Sequence, residues 1–265
     1  MLLTADFHIH SCLSPCGDLT MSPTQIVKTL KERGVQLAAL TDHNSSLNCP
    51  AFQILCKKAG IAALYGMEAQ TTEEVHVLCL FSHLKTALDF SNEIYELMPP
   101  IMNNPEKMGD QVYVDEEEDI LGEVEKYLVT SANINLDDLA EKVHSLGGLV
   151  IPAHVDRPAF SLTSQLGFIP TGDWDALEVV RMPQDSSLQS KGIDVMDMSA
   201  GIPVRVNTKV LDTRNYPLIT SSDAHYIEHI ARRSFLLDIG DDPLYEKDGS
   251  VSLKTIKAAL LRRPC

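Results

Sequence analysis

The sequence predicts an α/β protein whose strands close, or nearly close, into a barrel. Short apolar runs alternate with stretches of helical periodicity along most of the 265 residues, the pattern of βα units and a parallel sheet. The runs number about seven, which suits a barrel better than an open doubly wound sheet. Residues able to bind metal also recur where these runs stop. In βα barrels those strand ends form the active site.

Leu2 to His8 reads as the first strand. Pro23 to Arg33 reads as a helix, with Ser22 as N-cap, proline in the first turn and Gly34 after the end. Val35 to Leu40 is a buried strand running into Thr41-Asp42-His43. Pro50 to Lys58 is helical. Ile61 to Tyr65 is a strand leading to Gly66-Met67-Glu68, and Val75 to Phe81 is another. Leu136 to Leu146 is a helix ended by Gly147-Gly148, and Leu149 to Ala153 is a strand leading to His154. Ala176–Val180, Pro203–Val206 and Leu218–Thr220 complete the strands, and Leu253–Leu261 is a final helix. The segment 98–133 breaks the rhythm with Pro99-Pro100, the acidic run Asp115-Glu116-Glu117-Glu118-Asp119 and a small hairpin around Val112–Leu121. It reads as an insertion between barrel units of a single domain spanning 1–265, its acidic run a solvated loop or helix start.

Apolar residues make up 44% and charged residues 22%, enough for a sizeable core. Acidic residues outnumber basic ones 37 to 22, for a net charge of -15. That balance argues against a broad basic surface for nucleic acid or anionic membrane. Aromatics, at 6%, advertise no base-stacking platform. No apolar run approaches the ~20 residues of a membrane span, and the N-terminus has no leader pattern. The six cysteines form no regular framework, so reduced thiols in a cytoplasmic protein are expected.

The chemistry lies in the strand ends. His8 and His10 close the first strand, two apart and so on one side. His43 closes the second, Glu68 the third, and His76 lies in the fourth. His154 closes another, and Asp223 and His225 close the last, again two apart. Six of the nine histidines fall in this set. Each motif alone has a plainer reading: a packed histidine, a turn carboxylate, or Asp223 capping a following helix. Their coincidence favours a multinuclear metal site. Imidazole and carboxylate together suit Zn, Mn or Fe, and Glu68 offers two oxygens to bridge two ions.

Taken in order, His8-x-His10, Thr41-Asp42-His43, Gly66-x-Glu68, Ala153-His154 and Ser222-Asp223-Ala224-His225 resemble the PHP (polymerase and histidinol phosphatase) family over nearly the whole chain. The resemblance implies a distorted (β/α)7 barrel and a trinuclear centre that hydrolyses phosphoesters. It implies His8, His10, Glu68 and Asp223 around one ion, and Glu68, His76 and His154 around a second. His43 and His225 would serve a third. The family places a histidine or aspartate a few residues after H-x-H, where this chain reads Ser11-Cys12-Leu13-Ser14-Pro15-Cys16-Gly17-Asp18. Asp18 is the candidate ligand there and Cys16 the alternative; a thiolate would favour Zn.

Arg157, three residues after His154, is a candidate phosphate fork; its plainer reading is an ion pair with Asp156. Asn44, Gln70 and Arg181 are further candidates for substrate contact, while His83, His144 and His229 read as structural. The expected mechanism uses two to three divalent ions (Zn, Mn or Fe) that lower the pKa of a bound water. His225 is the candidate proton donor to the leaving group, and Asp42 the candidate to orient His43 or a neighbouring ligand. The expected substrate is a small phosphomonoester or nucleotide, with no stable nucleic-acid complex and no membrane partner. The oligomeric state is left open. The alternatives are an exonuclease or oligonucleotide phosphodiesterase, a metal-binding regulatory module without catalysis, and an amidohydrolase-type barrel. For the last, no strand-end lysine offers a carboxylated bridge, whereas Glu68 is available.

Overall fold

Strand β1 (Leu2–Asp6) leads, through the loop carrying His8 and His10, to α1 (Pro23–Glu32). In this computed structural model, which describes residues 1–182 and 212–262 and the backbone of two short strands between them, Ser22 caps α1 by accepting the Gln25 N–H. Next come β2 (Leu37–Leu40), α2 (Cys49–Ala59), β3 (Ala62–Gln70), β4 (His76–Phe81) and α3 (Leu84–Leu97). The segment 98–133 holds α4 (Pro105–Met108) and the antiparallel pair β5 (Val112–Val114) and β6 (Ile120–Glu123). The chain continues through α5 (Leu136–Ser145), β7 (Leu149–Pro152), α6 (Leu162–Leu166), β8 (Leu177–Glu178), β9 (Val195–Met196) and β10 (Pro203–Val204). It ends with β11 (Leu218–Ile219), β12 (Phe235–Asp238) and α7 (Leu253–Leu260). Val206, at the end of the run read from the sequence, lies outside the described residues, as do Arg263 and Cys265.

Six strands form one curled sheet in the order β12-β1-β2-β3-β4-β7. Backbone hydrogen bonds carry the circuit onward. Asp175 N and Val155 N link β7 to β8 through Val150 O and Glu178 O (2.9 and 2.8 Å), and β8 pairs in parallel with β11. The chain after β11 returns to the chain after β1, where Ile9 bridges Ala224 and His10 N donates to Ala224 O at 3.0 Å. β1, β2, β3, β4, β7, β8 and β11 therefore make a distorted seven-strand barrel.

The expectation of uniformly parallel units needs two corrections. β4 runs antiparallel to both β3 and β7, because only Thr71–Val75 separates it from β3, and a parallel crossover needs a dozen or more residues. β12, missed in the sequence, lies antiparallel along Leu2–Ala5 of β1. The third strand also extends well past Tyr65, so Glu68 sits inside β3 rather than after it.

Alternate residues sort into two layers. Leu3, Ala5, Leu37, Ala39, Leu64, Leu78, Leu80, Leu149 and Ile151 pack together with Ile256 and Leu260 of α7. The intervening Ala38, Leu40, Ala63, Tyr65, Val77, Cys79 and Val150 pack against α1, α2, α3 and α5 through Leu30, Phe52, Phe90 and Val143. With both faces covered, the strands are apolar nearly throughout, and each fully buried aliphatic side chain contributes about 1.5–3 kcal/mol. No helix among the described residues is long and apolar enough to cross a bilayer.

Candidate metal centre

One rim of the barrel collects the polar residues. β1, β2 and β7 deliver His8, His10, His43 and His154 just past their ends, and the chain after β11 delivers Asp223 and His225. The reversal of β4 explains why His76 belongs with them. As the first residue of a strand running the opposite way, it starts at the rim where its neighbours finish, paired with Gln70 of β3. Asp223 and His154 hold left-handed backbone at φ 47° and 32°, a strain that costs about 1–3 kcal/mol per residue and that functional sites retain.

Glu68, 1% exposed, is the hub. Its Oε1 lies 2.9 Å from His76 Nδ1, 3.0 Å from His154 Nε2 and 3.2 Å from His8 Nε2. Its Oε2 lies 3.0 Å from His43 Nδ1 and 3.4 Å from His10 Nε2. Asp223 Oδ1 is 3.5 Å from His8 Nε2, 3.6 Å from His10 Nε2 and 3.5 Å from His225 Nδ1. Three donor groups result: His8 with His10 and Asp223; His43 with Glu68 and His76; and His10 with His43 and His225.

A second layer fixes these rings. His8 Nδ1 is 2.9 Å from Glu178 Oε2, and His10 Nδ1 is 2.9 Å from Ser14 Oγ. Ser14 in turn donates to Asp42 Oδ1 at 2.7 Å, so its oxygen accepts from His10. His76 Nε2 is 3.3 Å from Gln70 Oε1. Asp42 is otherwise saturated by Ser11 N and Ser11 Oγ, both at 2.6 Å. Through Ser14 its hydrogen bonds reach His10.

This arrangement fits a set of cations. With Nδ1–H of His8 and His10 donated to Glu178 and Ser14, both Nε2 lone pairs face each other at 3.0 Å, a repulsion that a shared positive ion relieves. Buried His43 Nδ1 and His76 Nδ1 lie 3.0 and 2.9 Å from Glu68 without hydrogen-bond geometry, and an unsatisfied buried group costs about 1–3 kcal/mol. Burial opposes ionisation of Glu68, but His76, His8 and His43 outweigh it and hold its carboxyl well below the usual range. Burial likewise opposes Asp223, and His8 and His10 prevail. Burial drives His76 down to about 4, and burial with neighbouring His10 drives His225 to about 3. His43 rises to about 9, because Glu68 outweighs its desolvation. A neutral imidazole is the form that binds metal.

Several sequence expectations change. Asp18 stands outside the three groups: its Oδ1 accepts from Thr20 N and Thr20 Oγ1 at 2.8 and 2.6 Å, a local turn that occupies the carboxylate. Cys16 is exposed and also stands outside the three groups. Arg157 does not pair with Asp156. Its Nη1 donates to Asp223 Oδ2 at 2.8 Å, while Asp156 accepts from Val180 N and Arg181 N. Asn44 is a pin, donating to Leu128 O and Thr130 O and accepting from Gln70 N. Arg181 is exposed. His83 faces Asp248, His144 faces Asp173 and Asp175, and His229 lies in a 3-10 turn; none belongs to a donor group. Glu178 escaped the sequence reading; the available signal was a lone carboxylate inside the apolar run Ala176–Val180.

Comparison with known proteins follows the same outline. Over 98% of this chain and 56% of its own, the lesion-specific endonuclease of Pyrococcus furiosus, PfuEndoQ, superposes with a TM-score of 0.60 at 19% identity. An endonuclease Q in complex with a 27-mer duplex carrying an abasic lesion gives 0.57 at 20% over the same shares. A candidate metal-dependent phosphoesterase from Bifidobacterium adolescentis gives 0.53 at 16%, over 97% of this chain and 95% of that one. At these identities the likeness shows the fold. A 5'-3' exoribonuclease of Haemophilus influenzae is 31% identical over 81 residues, 29% of either chain. The chain thus spans about half the length of the endonuclease Q chains.

The expectation of a small phosphorylated substrate without a nucleic-acid complex is overturned here, since endonuclease Q, on this same fold, was crystallised with a DNA duplex. Overall acidity does not exclude such a partner, because charge averaged over a surface says little about a rim that collects candidate metal ligands. The PHP domain model matches residues 6–239, from the end of β1 to just past β12 and so across the whole rim, and the chain belongs to the PHP domain family.

Proposed function

We propose that this chain is a metal-dependent phosphoesterase that cleaves phosphodiester bonds of nucleic acid. The observation that carries the reading is the convergence of six histidines, Glu68 and Asp223 on one rim. Membership of the PHP domain family, together with a nuclease among both the sequence relatives and the fold relatives, supports it.

His8, His10 and Asp223 would hold one ion, and Glu68, His43, His76 and His154 would hold its neighbours. When bound, two to three ions of the Zn, Mn or Fe class supply a lowered water pKa and charge neutralisation for the phosphate. The chain's own residues do the rest. Glu178, Ser14 and Gln70 hold the imidazoles with their lone pairs turned inward. Arg157, 39% exposed at the side chain and beside Asp223, is placed to grip phosphate oxygens as a fork. His225, 21% exposed at its side chain, is held neutral by burial and His10, the form that would serve as a ligand beside His10 and His43, and it would pass a proton to the leaving oxygen only after taking one up. Each divalent ion brings two positive charges to a pocket with two carboxylates, so a local attraction for phosphate exists within an acidic protein.

The test is incubation of end-labelled and circular oligonucleotides, DNA and RNA, with Mn²⁺ or Zn²⁺ and then with chelator. Cleavage that needs metal is expected, and circular substrate separates internal from terminal attack. Hydrolysis of aryl phosphate alone, with every oligonucleotide intact, contradicts the reading.

A further inference from the structure

We propose that Glu178 is the positioning residue of this centre, holding ligands of two different ions with a single oxygen. It closes β8, 2% exposed. Its Oε2 lies 2.9 Å from His8 Nδ1 and also accepts the backbone N–H of His154 at 2.9 Å. Glu178 belongs to none of the three donor groups, so it stands behind the ligands rather than among them.

Each contact has a separate consequence. The first keeps the proton of His8 on Nδ1 and turns the Nε2 lone pair toward Glu68 and Asp223, the orientation a metal ligand requires. The second anchors the peptide that carries His154 in its left-handed conformation at φ 32°, from which its Nε2 reaches Glu68 Oε1 at 3.0 Å. The chain is further tied there by Val155 N donating to Glu178 O at 2.8 Å. A carboxylate oxygen can accept two N–H groups at once and adds negative charge that raises the basicity of His8. One buried side chain on β8 thus sets the geometry of ligands delivered by β1 and β7.

The inference rests on reading the rim as a metal centre, and the experiment separates the two. Zn²⁺ and Mn²⁺ affinities of the full chain, Glu178→Gln and Glu178→Ala are measured by chelator competition, with melting of each metal-free protein as the control for folding. Gln presents an oxygen at the same place without the charge and is the conservative replacement. A weakening on the order of 10-fold in Glu178→Gln and up to about 100-fold in Glu178→Ala is expected, affecting two ions, with metal-free melting of Glu178→Gln unchanged. If Glu178→Ala does not fold, Glu178→Gln decides. Wild-type affinity in a folded Glu178→Gln, or a loss of metal-free stability with affinity intact, overturns the positioning role. A wild-type chain that binds neither ion overturns the metal reading itself.

Discussion

Glu68 is approached by five imidazoles within 3.4 Å, and this crowding governs how the metal-free protein responds to pH. His43, raised to about 9, keeps its proton when folded across a range where it would lose it unfolded. Its contribution to stability is fully present below the ordinary 6.5 and is lost as pH rises through 9. His76 and His225, lowered to about 4 and 3, stay neutral when folded while their unfolded forms take up protons below 6.5. Stability therefore falls on the acid side as well. The metal-free protein is expected to be most stable near pH 6.5, as read from urea midpoints at about pH 5, 6.5 and 9. A steady rise to pH 9 would contradict the assignment. Arg157 gives a second test: Arg157→Ala should lower oligonucleotide turnover by about 10–100-fold if the guanidinium grips phosphate, with metal content unchanged. At this scale the candidate ligands were legible because they recur, singly or as pairs two apart, beside successive apolar runs. Glu178 and Ser14 were not, because their roles depend on contacts with His8 and Asp42 across 170 and 28 residues of chain that no local pattern encodes.

The pairing of β3 with β4 positions Glu68 and His76, and it depends on Gly66. A Cβ there would lie 1.9 Å from Cys79 O of β4, far inside contact distance, so the strands would have to separate. Gly66→Ala is expected to cost about 3 kcal/mol or more, seen as a lowered urea midpoint, and to weaken metal binding through the displaced Glu68. A stability within about 0.5 kcal/mol of wild type would show that the pair adapts. The antiparallel course of β4 was within reach of the sequence. Once β3 is extended to Gln70, the five residues Thr71–Val75 are too few for a crossover. Ending β3 at Tyr65 hid this. β12 was obscured differently: its alternation of buried Phe235 and Leu237 with exposed Leu236 and Asp238 reads as a strand only if Leu236 is accepted as solvent-facing.

Across the whole molecule, the barrel brings to one rim residues that span the chain from His8 to His225. Backbone closure at Ile9 and Ala224 holds the two ends of that range together. Barrel class could be read from the rhythm of apolar runs, because βα units leave a repeating trace. A net charge of -15 does not decide the proposed partner, because a phosphate would meet the rim and its ions rather than the average surface. The central claim is that this rim holds metal and cleaves nucleic acid. Its most direct test is the rate of oligonucleotide hydrolysis by wild type and by the His8→Ala, Asp223→Ala double variant, each with Mn²⁺ or Zn²⁺ supplied. Metal-dependent cleavage by the wild type and its loss by at least about 1,000-fold in the folded double variant are predicted. Full turnover by the double variant would contradict the account.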